Sequence, residues 1–161
     1  MHYNSKSSSL INSALRRYAL MFGMFLLPFS SARVWLLRIC GVKVGRGCYI
    51  GFNVFADTNY PSLIDIGDYV TISHNCSLVA HTKTPVTQSF LSTIYNSVKP
   101  ITIEEGAWIG MNVTILPGAH IKQNCLIAAG SVVPSMITSS FSVYAGNPLK
   151  LIKNLTDRTE K

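Results

Sequence analysis

The chain has 161 residues, one domain's worth, of which 48% are apolar and 13% charged, a balance that excludes a disordered segment and a solvated coiled coil. Its net charge of +7 lies wholly in residues 1–56, where Lys6, Arg16, Arg17, Arg33, Arg38, Lys43 and Arg46 meet no acid. Residues 57–161 carry as many acids as bases, so a basic surface belongs to one segment and not to the whole fold.

Residues 1–43 read as a basic, apolar helical segment. Arg16-Arg17 followed by the apolar run Tyr18–Phe29 resembles the start of a signal peptide, with Ser30-Ser31-Ala32 as a weak cleavage site. The run is short, however, interrupted by Gly23 and closed by Pro28, and too short to span a bilayer. Amphipathic character continues through Val34–Ile39, so the favoured reading is a retained pair of short helices. Ser8 or Ser9 is the expected cap of the first and Pro28 its stop; Ser30 or Ser31 caps the second and Gly41 ends it.

Between residues 44 and 135 an aliphatic side chain recurs every six positions: Val44 and Ile50, then Ile66, Ile72 and Leu78, then Ile103, Ile109, Ile115, Ile121, Ile127 and Val133. Four residues after these stand small or modest side chains, among them Cys48, Cys76, Ala107, Ala119, Cys125 and Ser131. A period of six fits neither a helix nor a hairpin meander, and it predicts a β-solenoid in which each unit is one short strand plus a turn. The aliphatic points into a narrow prism, the small residue fills a crowded corner, and Asn53, Asn75, Asn112 and Asn124 supply turn conformations.

Two stretches break the period: a short excursion at 57–63 around Pro61, and a longer loop at 83–99 of the kind that lines binding sites. After Val133 the chain crosses over in residues 136–161, where Asn147 and Pro148 predict the cap and first position of a short helix. Leu149, Ile152 and Leu155 would then seal the end of the coil. Cys40, Cys48, Cys76 and Cys125 form no CxxC pair and no zinc-ligand spacing with histidine, and read as isolated thiols, three of them corner fillers.

The repeat, the His81 that directly precedes the long loop, the runs Ala107–Gly118 and Ile127–Val133, and the tail Ala145–Lys150 together resemble hexapeptide-repeat acetyltransferases over roughly residues 30–153. The resemblance is to the galactoside, maltose and colanic-acid or capsule O-acetyltransferases. It implies a left-handed parallel β-helix, an all-β fold, assembled as a homotrimer with active sites in the clefts between subunits. It also implies acetyl coenzyme A as co-substrate, a sugar or polysaccharide-precursor hydroxyl (small-molecule or lipid-linked) as acceptor, and a cytoplasmic setting. No metal and no nucleic acid is expected.

Acyl transfer to a hydroxyl needs a base near neutral pH, which an imidazole supplies. Of the four histidines, His2 is near the terminus and His74 and His120 sit inside repeats, whereas His81 ends a coil and matches the family's catalytic position. The resemblance further places Trp108, Gly110, Met111 and Ala129 along the coenzyme, with backbone N–H groups near Gly110–Met111 as oxyanion donors. Asn53 and Asp57 match the acceptor region, with a turn role as the alternative. Ala128-Ala129-Gly130 replaces the family's usual Gly-Ala-Gly, and Pro134-Ser135 replaces a Thr-Lys pair, which leaves Lys150 and Lys153 to meet the coenzyme's phosphates. Two rivals stand: a γ-type carbonic anhydrase using three histidines on zinc, and a non-catalytic assembly solenoid. Residues 1–40 either contact an anionic membrane surface or simply cover the open end of the coil.

Overall fold

Two helices precede the repeat in the computed structural model, which describes residues 4–83 and 89–155, with side chains for all of these except 4–13, 89 and 92. Residues 84–88 of the expected loop, residues 156–161 and the Lys6 side chain lie outside the described set. Helix α1 spans Asn4–Leu26 and stops ahead of Pro28, as expected, but Ser8 and Ser9 lie inside it and do not cap it. Helix α2 spans Ser30–Ile39; its cap position is Phe29, with no side-chain bond, because Ser30 Oγ instead accepts the Ile50 N–H at 2.8 Å. Gly41 closes α2 at φ 100°, with its N–H on the Arg38 carbonyl and that of Val42 on Leu37. The helices cross where Gly23 meets Leu36, and a Cβ on Gly23 would collide with the Leu36 Cδ2.

The repeat then runs four circuits through three parallel sheets. The first circuit is β1 (Lys43–Val44), β2 (Tyr49–Ile50) and β3 (Phe55–Ala56), and the second is β4 (Ile64–Ile66), β5 (Thr71–Ile72) and β6 (Ser77–Leu78). The chain leaves in an antiparallel hairpin of β7 (His81–Thr82) and β8 (Ser97–Val98) enclosing α3 (Ser89–Tyr95). It re-enters as β9 (Ile101–Ile103), β10 (Trp108–Ile109) and β11 (Thr114–Ile115), then β12 (His120–Ile121), β13 (Leu126–Ile127) and β14 (Val132–Val133). Strands of one position stack in register, so that β1-β4-β9-β12 form one sheet, β2-β5-β10-β13 lie in the second and β3-β6-β11-β14 form the third.

The six-residue rule has a direct structural cause. Ile50, Ile66, Ile72, Leu78 and the series Ile103 to Val133 are at most 2% exposed, all within the prism, and each is worth on the order of 2–3 kcal/mol of burial. Three residues after the inward aliphatic the backbone turns through the left-handed region at nine corners, from Gly47 and Asn53 to Asn124 and Gly130. Every one is Gly or Asn except Tyr69 (φ 56°), whose ring lies over Gly47, where an added Cβ would stand 2.5 Å from it. Cys76 and Cys125 are buried corner fillers with their thiol pKa values raised by that burial; all four cysteines are free.

Helix α2 packs on β1 and β2 and α1 on β3, so the two helices cover the end of the prism where these edge strands lie. Their basic side chains serve that edge. Arg33 is 1% exposed and donates to the carbonyls of Ile50 (2.8 Å) and Leu27 (2.5 Å) while stacking on Phe52 at 4.1 Å. Arg38 donates to Val44 and Gly45 carbonyls, and Lys43 and Arg46 pair with Asp65 and Asp68 of the next circuit. Unpaired edge groups are thereby blocked against further strand addition.

The C-terminal helix is corrected by the structure. Lys150–Asn154 is a strand, β16, antiparallel to β15 (Ser142–Ala145), which itself extends the second sheet beside β13. Gly146 at φ 98° reverses the chain, and β15 offers a hydrogen-bonding edge, a better partner for five residues than an isolated turn of helix. Ile152 is accordingly 59% exposed and seals nothing.

Candidate active site

The site begins at the corner that follows the third sheet. Asp57 leaves β3 there in the first circuit and His81 leaves β6 there in the second, one circuit apart and therefore adjacent in space. Asp57 is 1% exposed and all of its acceptor capacity is directed inward. Oδ1 accepts the N–H groups of Asn59 (2.9 Å) and Tyr60 (3.2 Å); Oδ2 accepts that of Ala80 (2.9 Å) and His81 Nδ1 at 2.5 Å. Three of these partners are backbone N–H groups, and a carboxylate only accepts, so the fourth bond has Nδ1 of His81 as its donor. Nε2 is then the nitrogen with a free lone pair.

Asn59 confirms that tautomer. Arg17, reaching across from α1, donates to Asn59 Oδ1 at 2.6 Å, which fixes the amide orientation and turns Nδ2 toward His81 Nε2 at 3.2 Å. Arg16 donates to the Thr58 carbonyl at 3.3 Å, and the Tyr60 ring lies tilted over the imidazole with centroids 5.2 Å apart. His81 opens into a pocket of about 220 Å³ walled by Tyr60, Thr82, Lys83 and the β8 side of the hairpin. Asn59 and Tyr60 have no sequence signal beyond the excursion at 57–63, and Arg17 stands out in the sequence as a basic residue but not as a partner of this site.

The remaining expected residues fall elsewhere. Trp108 lies in β10 of the second sheet and Gly110, Met111 and Ala129 at the corner that follows it, one prism side away from His81, or about 20 Å of extended chain at 3.3 Å per residue. Trp108 is 54% exposed, with Nε1 on Ser73 Oγ at 3.4 Å, and Met111 and Ala129 are also exposed. Asn53 stands on the same corner, its Nδ2 donating to Asn75 Oδ1 at 3.1 Å, away from His81. Lys150 and Lys153 are exposed on β16.

The geometry bears on two of the expected roles. Of the expected Gly110–Met111 donors, the Gly110 N–H is already engaged by the Ile127 carbonyl at 2.8 Å within the coil; glycine is needed there because a Cβ would lie 2.6 Å from the Ala129 nitrogen. Asp57, expected to touch the acceptor, is buried behind the imidazole instead. The other histidines are separately engaged: His74 Nδ1 accepts the Phe52 N–H and stacks on that ring, and His120 Nε2 meets Glu104 at 2.6 Å. Among the described residues no three metal-ligating side chains converge.

The bacterial transferase hexapeptide (six repeats) pattern matches residues 100–135. Galactoside O-acetyltransferase of Escherichia coli is 36% identical over 117 residues, covering 73% of this chain and 56% of that protein, so the chain spans little more than half of that relative's length. A Dictyostelium discoideum protein provisionally assigned as an acetyltransferase is 31% identical over 132 residues, covering 80% of this chain and 68% of that one. A mitochondrial γ carbonic anhydrase of Arabidopsis thaliana is 30% identical over 128 residues, covering 72% of this chain but 45% of that protein. Among solved structures, a galactoside acetyltransferase in complex with coenzyme A superposes with a TM-score of 0.64 at 27% identity, over 92% of this chain and 84% of that one. With the repeat, the three-sheet circuit and these relatives in hand, the chain belongs to the hexapeptide-repeat acetyltransferase family.

Proposed function

We propose that the protein transfers an acetyl group from acetyl coenzyme A to a hydroxyl of a saccharide or polysaccharide precursor, free or lipid-linked, at the cytoplasmic side where the thioester is available. The observation that carries this reading is the buried Asp57 carboxylate holding His81 with Nε2 toward an open pocket. An acceptor hydroxyl takes the place of the Asn59 amide on Nε2, gives its proton to that nitrogen and attacks the thioester carbonyl. The tetrahedral intermediate collapses with departure of the coenzyme thiolate, which recovers the proton from Nε2. Asp57 stays ionised, keeps the proton on Nδ1 and stabilises the imidazolium.

The coils are read as a left-handed β-helix and the assembly as a homotrimer. Support comes from the separation of the two corners: His81 lies on one, and Trp108, Met111 and Ala129 on or beside another, so a single site that uses both draws them from two chains. Lys150 and Lys153 reach the coenzyme's phosphates in this reading. The coenzyme-bound relative, similar in fold at 27% identity, supports the co-substrate. Against the carbonic-anhydrase reading, His74, His81 and His120 stand at three separate places with partners of their own.

The test is release of free thiol from acetyl coenzyme A in the presence of a panel of saccharides, with light scattering of the same sample. Wild type is expected to turn over as a trimer, and His81→Ala to lose about 10²–10⁴-fold in kcat with an intact trimer. Turnover by His81→Ala near the wild-type rate moves the base elsewhere. Absence of thiol release with every acceptor favours the assembly role.

A further inference from the structure

We propose that the outward faces of α1 and α2 form a docking surface for an anionic lipid bilayer. The inward face of α1 is Leu20 and Met24 in the core and Gly23 against Leu36 of α2, continued by Leu27 just past its end. The opposite face of its C-terminal part, residues 18–26, is apolar among the described side chains. Leu15, Tyr18, Phe22 and Phe25 follow one another at helical spacing and are 59–67% exposed; Phe29 in the connection and Trp35 on α2 continue the patch at 70% and 60%. With their neighbours they present on the order of 1,000 Å² of apolar surface, well above the few hundred Å² of an ordinary patch.

Three observations select a bilayer over a protein partner. First, the two helices cover β1, β2 and β3, the edge strands at one end of the stack, so their outward faces look along the coil axis and not sideways. In the proposed trimer, on which this inference rests only for its avidity, three such faces lie on the same end and can meet one flat surface together. Second, α1 and α2 hold no acid, and of their arginines Arg17 and Arg38 are exposed and Arg16 half-exposed while Arg33 is buried, so nothing in them repels an anionic headgroup. Third, the patch is rich in Tyr, Phe and Trp, with Arg38 exposed between Trp35 and Ile39, the composition suited to the interfacial layer. Among the described residues no helix is long and apolar enough to cross a membrane, which leaves α1 lying on the surface.

The docked helix is also the one that holds the site. Arg17 on α1 fixes Asn59, and Asn59 fixes His81 Nε2. A lipid-linked acceptor would therefore meet a catalytic corner tied directly to the docked element.

The experiment is flotation of the full chain with vesicles of phosphatidylcholine alone and of phosphatidylcholine with phosphatidylglycerol, at low and high salt. Light scattering and thiol release with a water-soluble saccharide are measured on the same protein. Wild type is expected to float with the anionic vesicles and to be released by salt. Phe22→Glu and Phe25→Glu, at exposed positions outside the core, are each expected to lower the bound fraction at least about tenfold at unchanged trimer mass. Quenching of tryptophan fluorescence by brominated lipid gives a second readout on wild type should either variant fold poorly. Equal partition to neutral and anionic vesicles, or none to either, overturns the proposal. So does a wild-type particle larger than a trimer that Phe22→Glu splits, which assigns the patch to a second copy. Wild type that releases thiol but does not float sinks the docking surface alone, and wild type that floats but releases no thiol with any acceptor sinks the enzymatic reading alone.

Discussion

Replacing Asp57 by Asn tests the reasoning at its centre, because the substitution keeps shape and changes only which atoms donate. The carboxylate accepts four bonds, two on each oxygen. With Nδ2 in place of Oδ2, the new N–H₂ faces the Ala80 N–H and His81 Nδ1. The ring responds by losing its Nδ1 proton and protonating Nε2, which removes the base. With the amide reversed, Nδ2 faces the Asn59 and Tyr60 N–H groups instead, two backbone donors that cannot give up a proton, so the first orientation is the less costly. Either way one side sets donor against donor in a buried place, at a cost of about 1–3 kcal/mol, or roughly 2–4 °C in melting temperature per kcal/mol for a chain of this size. The catalytic loss is larger, about 10²–10⁴ in kcat, the size of a general-base contribution. KM for acetyl coenzyme A should stay near wild type, since the residues proposed to meet the coenzyme lie away from this corner. The assay is thiol release over a range of coenzyme concentrations on protein shown folded by circular dichroism. Combining Asp57→Asn with His81→Ala should cost little beyond His81→Ala alone, as for residues acting as a unit. A folded Asp57→Asn enzyme with kcat within roughly threefold of wild type refutes the tautomer argument.

Gly110→Ala should lower the melting temperature by several degrees, because its Cβ meets only backbone, at 2.6 Å from Ala129 N and 2.9 Å from Ile127 O, an overpacking cost of about 1–3 kcal/mol; an unchanged melting curve removes the close-stacking account. Lys150→Ala should raise KM for acetyl coenzyme A with little change in kcat, and leave a truncated pantetheine thioester unaffected; equal effects on both thioesters make Lys150 an ordinary surface residue. The Glu104 carboxyl is held below its usual range, first by the Lys122 ammonium at 3.0 Å and then by His120. Its stabilisation is therefore present at neutral pH and lost as pH falls through the lowered pKa. Denaturant midpoints of wild type and Glu104→Gln should differ at pH 7 and converge in acid below about pH 4; a constant difference across that range contradicts the pairing.

The prism was legible because one physical constraint repeats: each Ile at six-residue spacing has the same inward place, and each small residue four later the same corner. Asn53, Asn75, Asn112 and Asn124 were readable as turns for the same reason, and all four have positive φ. His81 stood out by its place between coil and loop. The Asp57 role was not legible, since a carboxylate pointing inward and one pointing at a substrate have the same sequence neighbours. The Arg17–Asn59 contact joins residues 42 apart through a helix packing that no local pattern encodes. Lys150–Asn154 was misread because cap residues announce a helix only where no sheet edge competes, and β15 supplies one. The charge count in residues 1–56 was correct, but it could not show that Arg33 and Arg38 bind edge carbonyls or that Lys43 and Arg46 have acidic partners one circuit away.

The hairpin that carries His81 is joined to the coil at a narrow neck. Lys99 N–H bonds the Ala80 carbonyl at 3.0 Å, Thr82 Oγ1 bonds the Tyr95 carbonyl at 2.6 Å, and β9 resumes with Ile101, Thr102 and Ile103 aligned on Ile64, Asp65 and Ile66. Register on the far side of the excursion is thus independent of what the excursion contains. Doubling such a loop costs only about 0.6 kcal/mol of closure entropy, so duplicated copies of the gene can diverge in loop length and composition while inheriting the same prism. Hairpin composition and the thermal endurance of the prism can therefore be altered by separate sets of mutations.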